Sequence, residues 1–355
     1  MRRVFVGLAG SLILMFGCGS SSGDEPIDPL AVTYCAECSE LSNCERLITE
    51  TLNVVCQTET RAYYECVTAD SCDTTGCDTE FSAREICLRR APVDRVRAGV
   101  FLLRPSANIG HRGTGPTREG HPFPENSISS FAAAMEEGAD GIQLDVEVTQ
   151  DGQLIIMHDD TVDRTTNCTG CVSEMTFDEI RACRLLDGAG AITDERPPTL
   201  LEAYAAVSGT ALINVELKVF GPPCLTDTTG PEDLVPLALE EVTRIGAESR
   251  TIFSSFDETA AELVKTQQPG YYSALSSMVT GPDEVEKALL LNQDAIHPSF
   301  SVTEETVKDA LAQELQVNIR MARDNSAELL QAQIDKGSTA IITDEPATLA
   351  DLLTP

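Results

Sequence analysis

Residues 141–158 have the sequence GIQLDVEVTQDGQLIIMH and contain two strand-like runs joined by Asp151-Gly152. An Asp-Gly pair between two such runs is typical of a two-residue hairpin turn. In that hairpin the pairing places Asp145 opposite His158. The pattern therefore predicts a carboxylate and an imidazole side by side on a β-hairpin.

Strand-like runs continue on both sides of this hairpin and alternate with helical stretches. The runs predict eight strands, at Asn108–Arg112, Gly141–Thr149, Ala211–Lys218, Thr251–Phe256, Tyr271–Met278, Asp294–Pro298, Gln316–Ala322 and Thr339–Asp344. Helical periodicity lies between them, over Ile128–Gly138, Glu232–Ile245, Glu258–Gln267, Asp283–Asn292, Glu304–Glu314 and Ser326–Lys336. Eight strands with their crossovers in residues 100–355 match the size of an α/β TIM-type (β/α)8 barrel. We expect this barrel, with the β-hairpin inserted after strand 2.

The amino-terminal residues have the pattern of an export signal. Arg2 and Arg3 precede an apolar run that is too short to span a bilayer, and a small residue, Gly17, precedes Cys18. The segment resembles a bacterial lipoprotein signal, with residues 1–17 as signal peptide, Cys18 as the lipidated residue and 18–33 as a flexible tether. We expect a membrane-anchored protein facing the periplasm or the cell surface, with ordinary secretion as the alternative.

A cysteine-rich segment follows the tether. Eight cysteines lie within residues 34–95, and none of the four histidines of the chain is among them. In an oxidising compartment this composition favours four disulfides in a small, mainly helical module, and two zinc sites are the competing interpretation. The pairing is not predictable from spacing. Four further cysteines, Cys168, Cys171, Cys183 and Cys224, are an even number, so all of them can form disulfides.

The charge of the chain excludes some partners. Its 355 residues include 57 acidic and 25 basic side chains, for a formal charge of −32. Such a chain is a poor ligand for nucleic acid or for an anionic membrane face. We therefore expect a small-molecule or lipid substrate and no nucleic acid, with contact to a membrane only through the lipid anchor.

Side chains that can bind a metal ion, bind phosphate or transfer protons lie at the predicted carboxyl ends of the strands. Barrels of this kind have their active sites at that end. They are His111, Arg112, Gln143, Asp145, His158, Glu216 and Lys218. Carboxylates bind a hard divalent cation, Arg and Lys neutralise phosphoryl oxygens, and two imidazoles can exchange protons with attacking and leaving oxygens. The set favours hydrolysis of a phosphate ester.

These residues belong to an ordered series of motifs. The series is Gly110-His111-Arg112-Gly113, Pro124-Glu125-Asn126-Ser127, Gly138 to Gly152 with Asp145, His158-Asp159, Arg164-Thr165-Thr166, Pro198-Thr199-Leu200, Glu216-Leu217-Lys218, Ser254-Ser255-Phe256 and Ile342-Thr343-Asp344-Glu345-Pro346. Residues 108–355 thereby resemble the glycerophosphodiester phosphodiesterase family. The resemblance implies metal-dependent hydrolysis of a glycerophosphodiester to glycerol phosphate and an alcohol. The glycerol hydroxyl of the substrate would attack phosphorus, and water would open the resulting cyclic phosphate.

The resemblance also implies roles for individual residues. His111 and His158 would be the acid and base, in an order that the sequence leaves open. Arg112 and Lys218 would bind the phosphate. The metal ligands, for Ca²⁺ or Mg²⁺, would be Asp145, Glu216 and the residue at position 143.

Two positions depart from the family pattern. Position 143 is Gln, whose carbonyl oxygen can bind a metal ion but contributes no charge, and Glu125 or Glu147 is a candidate replacement ligand. Arg320-Met321 replaces a Trp-Thr pattern in the family. Arg320 either binds a second anionic group or pairs with a carboxylate, and we expect the pairing.

Other interpretations remain open at this point. His121, in the insertion 114–123, is expected to be a solvent-exposed loop residue, with contact to the substrate as the alternative. His297 faces either the barrel mouth or the core. The same catalytic residues would serve a lysophospholipase D-type enzyme. A non-catalytic, lipid-anchored binding protein is a second alternative, for which Gln143 is the main support. A third alternative makes residues 34–95 a surface adhesion module.

Overall fold

The computed structural model describes Arg61, Glu65 and residues 106–207, 210–219, 224, 230–278, 281–321 and 325–354. The chain divides into two compact units, Met1–Ala91 and Pro92–Pro355. The predicted signal peptide, the lipidated Cys18, the tether and the cysteines of the amino-terminal module lie outside the described residues. Apart from Arg61 and Glu65, the described residues belong to the second unit.

Eight parallel strands form a closed barrel in the second unit. They are β1 (Ala107–His111), β2 (Gly141–Val148), β4 (Leu212–Leu217), β5 (Thr251–Ser255), β6 (Tyr272–Ser276), β7 (Ala295–His297), β8 (Gln316–Arg320) and β9 (Ala340–Thr343), and β3 (Leu154–Ile156) pairs antiparallel with β2. The barrel closes because β1 pairs with both β2 and β9. All eight predicted barrel strands are confirmed.

Nine helices lie among the described residues of the second unit. They are α1 (Ile128–Glu136), α2 (Phe177–Ala182), α3 (Leu200–Ala206), α4 (Pro231–Ile245), α5 (Glu258–Gln267), α6 (Pro282–Leu290), α7 (Glu304–Ala312), α8 (Ala327–Asp335) and α9 (Pro346–Leu353). The six predicted helices are confirmed, whereas α2, α3 and α9 are additional. Two of these short helices begin with a capping box, Thr176 with Glu179 for α2 and Thr199 with Glu202 for α3.

The strands are buried on both faces, which explains their continuous apolar runs. Small and branched side chains, together with one tyrosine, fill the barrel interior below the site: Ala107, Ile109, Leu212, Ile252, Tyr272, Ala274, Ala295, Ala340 and Ile342. Larger clusters lie between the strands and the helices. Gly141 lets β2 approach β4 closely, because a Cβ atom there would lie 2.2 Å from the carbonyl oxygen of Leu212.

The hairpin of β2 and β3 is present, but its predicted register is wrong by one residue. Val146 pairs with Ile156 and Val148 with Leu154, so Met157 rather than His158 is next to Asp145. The reason is the turn. Gly152 has φ +73°, its N–H donates to the Thr149 carbonyl, and the three residues 150–152 form the connection instead of two.

Two disulfides hold the segment that follows the hairpin. Cys168 is bonded to Cys183, and Cys171 is bonded to Cys224 in the loop after β4. All four cysteines of the second unit are therefore paired in disulfides. Cys168 and Cys171 do not form a redox pair with each other. Across the described ranges, none of the helices has the length and apolar character that a membrane span requires.

Candidate active site

Adjacent strands bring the predicted site residues together at one end of the barrel. His111, at the end of β1, is in register with Gln143 of β2. Two residues further along β2, Asp145 is in register with Glu216 of β4. Since alternate residues of a strand share a face, Gln143 and Asp145 point the same way, and the site grows from three neighbouring strands.

Each of the two predicted catalytic histidines is held by a carboxylate. The Nδ1 atom of His111 lies 2.6 Å from Oδ1 of Asp344, and Nδ1 of His158 lies 2.6 Å from Oδ1 of Asp159. A carboxylate on Nδ1 selects the tautomer with the proton on that nitrogen. Nε2 is then the nitrogen that can accept a proton from a substrate.

Arg112 is held in an unfavourable backbone conformation. Its φ of +51° lies in the left-handed region, which costs a non-glycine residue of the order of 1 kcal/mol. Its backbone N–H donates to Oε1 of Gln143 at 2.9 Å. The guanidinium donates to Glu125 at 2.8 Å and lies 3.5 Å from Asp145. This strained conformation directs the guanidinium of Arg112 toward the centre of the site.

The side chain of Gln143 is oriented by that backbone hydrogen bond. Because Oε1 accepts from the N–H of Arg112, the amide nitrogen points at the carboxylates, 3.1 Å from Asp145 and 3.4 Å from Glu216. In this orientation Gln143 gives the carboxylate pair a hydrogen-bond donor and no oxygen ligand. Within the described ranges, no group of three or more His, Cys, Asp and Glu side chains is placed to hold a metal ion.

Asp145 and Glu216 are buried beside Lys218, whose Nζ lies 2.8 Å from Glu216 and 3.6 Å from Asp145. Burial alone would raise the pKa of Asp145, but the charges of Lys218, His158 and Arg112 outweigh it and hold that pKa well below its usual range. Burial alone would lower the pKa of Lys218, yet the two carboxylates raise it. The charged groups at the centre of the site therefore stay ionised. Because the charge of His158 acts on Asp145, the hairpin brings the His158 imidazole near Asp145 despite the changed register.

Glu125, the candidate replacement ligand, is engaged by two arginines. It accepts from Arg112 and, through both oxygens at 2.7 and 2.8 Å, from Arg164, and it also accepts from the Thr117 N–H. Burial would raise the pKa of Glu125, but the hydrogen bonds from Arg164 and the charge of Arg112 lower it to about 2. These contacts make Glu125 a structural partner of the arginines and do not support a role as metal ligand.

Several residues with a clear place in the site were given no role in the sequence analysis. Asp344 and Asp159 hold the histidines, Arg164 links Asp159 to Glu125, and Asn126 donates to Asp145 at 2.9 Å. All four belong to motifs of the family resemblance. One sequence signal could have identified Asp159 and Asp344. Each is a carboxylate directly after a motif histidine or a strand end.

His121 is not a solvent-exposed loop residue. It is partly buried, with Nδ1 2.7 Å from the Phe123 carbonyl and Nε2 2.7 Å from the Thr114 carbonyl. It borders a cavity of about 310 Å³ that is also lined by Asp344, the hydrogen-bond partner of His111. The imidazole therefore ties the insertion 114–123 together beside the site.

His297 and Arg320 lie on neighbouring strands, the first in the barrel interior and the second, partly buried, at the carboxyl end of β8. His297 is fully buried, with Nε2 2.9 Å from the amide nitrogen of Asn318, so that of its two expected positions the buried one is observed. The expected pairing of Arg320 with a carboxylate is wrong: among the described residues, none of the ion pairs within 4.0 Å involves Arg320. Its guanidinium lies over the ring of Phe256 instead, 4.4 Å from the centroid.

Comparison with known proteins gives consistent matches over this unit. Residues 111–348 match the glycerophosphoryl diester phosphodiesterase family. The chain is 33% identical over 251 residues to a glycerophosphodiester phosphodiesterase of Caldanaerobacter subterraneus, an alignment that covers 69% of this chain and 96% of that protein. It is 32% identical over 235 residues to a glycerophosphodiester phosphodiesterase of Bacillus altitudinis, covering 63% of this chain and 90% of that protein.

Solved structures share the fold. A phosphodiesterase of Oleispira antarctica, determined in complex with the product sn-glycerol-3-phosphate, superposes with a TM-score of 0.61 at 23% identity, over 72% of this chain and 99% of that one. A glycerophosphodiester phosphodiesterase from Galdieria sulphuraria superposes with a TM-score of 0.60 at 24% identity, over 70% and 98% of the two chains.

Proposed function

The chain belongs to the glycerophosphoryl diester phosphodiesterase family, and we propose that it hydrolyses glycerophosphodiesters to glycerol phosphate and an alcohol. One observation supports this activity most directly. Two histidines, each with Nδ1 held by a carboxylate at 2.6 Å, flank a buried group of ion-paired charges at the carboxyl end of the barrel strands. This arrangement suits proton transfer at a bound phosphate.

Phosphate binding is assigned to Arg112 and Lys218. Both cations lie against Asp145, so they face the same volume and are held in fixed positions before a substrate arrives. Prepositioned cations stabilise the charge that develops on phosphoryl oxygens in the transition state without having to reorganise. Arg164 and Glu125 support this arrangement by fixing the far side of the Arg112 guanidinium.

Proton transfer is assigned to His111 and His158. One imidazole accepts the proton of the glycerol hydroxyl as its oxygen bonds to phosphorus, and the other donates a proton to the alkoxide that leaves. The product of this step is a cyclic phosphate, and water opens it with the two histidines in reversed roles. An attacking group that is already part of the substrate gains from proximity, so the protein needs no covalent nucleophile.

A divalent metal ion, Ca²⁺ or Mg²⁺, is part of the proposal. The two adjacent buried carboxylates of Asp145 and Glu216 fit such an ion, because Mg²⁺ in phosphoryl-transfer sites is commonly held by one or two carboxylates together with substrate oxygens. When bound, the ion would neutralise charge on the phosphoryl group. Gln143 would become a ligand only by turning its carbonyl oxygen away from the Arg112 N–H.

The proposed activity is tested by hydrolysis of glycerophosphocholine, with His158→Ala as the variant. We expect a loss of roughly 10²- to 10⁴-fold in kcat, as is typical when a general acid or base is removed. Lys308→Ala, on the outer helix α7, is the control and retains full activity. A chelator is expected to lower the rate, and added Ca²⁺ or Mg²⁺ to restore it.

Each outcome bears on a separate part of the proposal. Turnover that survives His158→Ala would contradict the acid-base assignment, and turnover unaffected by a chelator would contradict the metal requirement. If the native protein binds glycerophosphocholine without hydrolysing it, and Gln143→Glu gains activity, the native protein is a binding protein.

Export and lipid anchoring are proposed on the sequence of the first 18 residues. When the full precursor is expressed in a bacterium, we expect the protein to partition into the detergent phase, because an acylated Cys18 holds it to the membrane. Cys18→Ser is expected to move the protein to the aqueous phase. A wild-type protein found only in the aqueous phase would support ordinary secretion instead.

A further inference from the structure

Arg320 lies at the carboxyl end of β8 and differs from the other cations of the site. Arg112 contacts Glu125, Lys218 contacts Glu216, and both also lie near Asp145. Across the described ranges, Arg320 has no carboxylate within 4.0 Å. A partly buried guanidinium without a counter-ion is costly, since burial disfavours the charged form.

The charge state of Arg320 is nevertheless secure. Burial lowers its pKa, but a guanidinium stays protonated at any physiological pH. The charges of Glu216 and Asp145 favour the cation from a distance, and that of Arg112 opposes it. Arg320 thus interacts with the carboxylates of the site over a distance but contacts none of the described ones. Its positive charge is available to a negatively charged ligand.

Arg320 lies across the barrel mouth from Lys218, and only β9 separates its strand from β1, which precedes Arg112. In the closed ring, β8 is separated from β4, the strand that precedes Lys218, by three strands in either direction. The two strands are therefore on opposite sides of the barrel. A diester bound at Arg112 and Lys218 would extend one of its two substituents toward Arg320.

The guanidinium is also held in a defined orientation. It stacks on Phe256, with Cζ 4.4 Å from the ring centroid, and Nη1 lies 3.8 Å from the sulfur of Met278. Stacking on an aromatic face leaves the edge of the planar guanidinium for hydrogen bonds. That edge matches the two oxygens of a carboxylate or phosphate group.

We propose that Arg320 binds an oxyanion on the alcohol that leaves, so that the preferred substrates are glycerophosphodiesters with a negatively charged leaving group. The inference rests on the proposed function and adds the substrate class to it. A leaving group that carries only a positive charge, such as choline, would meet a like charge at the same place.

Two substrates that differ by one carboxylate provide the test. Glycerophosphoserine and glycerophosphoethanolamine share the scissile bond and the ammonium group, and only the first carries the carboxylate. We expect the wild-type kcat/KM to favour glycerophosphoserine by about tenfold or more, which corresponds to about 1.4 kcal/mol. Arg320→Gln is expected to bring this ratio close to one, while Arg320→Lys retains part of the preference.

Two different experimental results would overturn the proposal. A wild-type ratio near one excludes an oxyanion subsite, whatever the variants do. An Arg320→Gln protein that loses kcat/KM equally for both substrates assigns Arg320 to the shared glycerophosphate half instead. Melting temperatures of both variants check that they are folded.

A binding measurement separates this inference from the proposed function. Calorimetric titration of the wild-type and Arg320→Gln proteins with each diester reports the subsite without any requirement for turnover. A preference for glycerophosphoserine that Arg320→Gln removes, in a protein that hydrolyses neither diester, would support the Arg320 subsite and contradict the hydrolase assignment. Turnover of both diesters with no difference in binding between them would support the hydrolase assignment and contradict the Arg320 subsite.

Discussion

At the residue scale, the amide of Gln143 distinguishes this site from a group of three carboxylates. Its Oε1 accepts from the backbone of Arg112, and its amide nitrogen donates to Asp145 and Glu216. The donor reduces repulsion between the two buried anions, as does the ammonium of Lys218. In this orientation neither donor provides an oxygen ligand for a cation.

Gln143→Glu is predicted to strengthen binding of Ca²⁺, because ligand charge sets the affinity of such sites. The added carboxylate also repels Asp145 and Glu216 when no metal is bound, so the melting temperature of the metal-free variant is expected to fall. Calcium titration by calorimetry and melting curves with and without Ca²⁺ measure both effects. We expect a gain in affinity of about tenfold or more.

Gln153→Glu is the matched control for this prediction. It makes the same chemical change at an exposed position of the hairpin. An equal response of both variants to Ca²⁺ would mean that the effect comes from net charge rather than from the site.

Among the elements, the hairpin shows how a turn sets the position of His158, one of the two proposed catalytic residues. Residues 150–152 form a three-residue connection in place of the expected two-residue turn, and this shifts the pairing of β3 with β2 by one position. His158 consequently lies beyond the last paired residue, where its Nδ1 reaches Asp159 in the following turn. A one-residue change in the turn thus decides which face of the hairpin each side chain occupies.

Gly152→Ala is predicted to lower the free energy of unfolding by about 1 kcal/mol, the cost of a left-handed conformation for a residue with a Cβ atom. Nothing lies within 4 Å of the Cβ position, so conformational strain is the main contribution. Gly152→Asn is expected to lose less, because Asn tolerates this region better. Urea denaturation measures the difference, and equal losses for Ala and Asn would contradict the explanation.

On the scale of the whole molecule, closure of the barrel buries ionisable groups that an open sheet would leave in water. His297 is the clearest case: burial first, and the charge of Arg320 second, lower its pKa from 6.5 to about 3. The native protein therefore holds a neutral imidazole in a pH range in which the unfolded chain binds a proton. Stability is linked to pH through this difference.

Stability is predicted to fall as the pH drops from 6.5 toward 3, because only the unfolded chain binds the extra proton at His297 in that window. One group contributes at most about 1.4 kcal/mol for each pH unit. Glu125, with its pKa lowered from 4.5 to about 2, adds a second loss of stability only below pH 4.5. Above that value, the difference between the wild type and His297→Gln isolates the histidine.

The measurement is the free energy of unfolding in urea at about pH 7 and about pH 5, for both proteins. We expect the wild type to lose more stability than His297→Gln between the two conditions. An equal loss would show that His297 does not stay neutral in the folded protein.

Local patterns in the amino-acid sequence were enough to predict the strands and most helices of the barrel, and the strand ends at which the candidate site residues lie. Local periodicity carries that information, because a strand buried on both faces and an amphipathic helix each leave their own pattern. The positions of His111, Asp145 and Glu216 at predicted strand ends were equally readable, since every parallel strand of a barrel ends on the same face. The short helices α2, α3 and α9 were not predicted.

The pairing of side chains in the site, by contrast, follows from the three-dimensional fold. The orientation of Gln143 depends on the N–H of Arg112, which arrives from a neighbouring strand, and the register at His158 depends on the length of the connection at residues 150–152. Among the described residues, Arg320 has no carboxylate within 4.0 Å, and its guanidinium lies over Phe256, which follows β5 in the chain. Such pairings depend on distances between residues far apart in the chain, and local sequence patterns do not encode those distances.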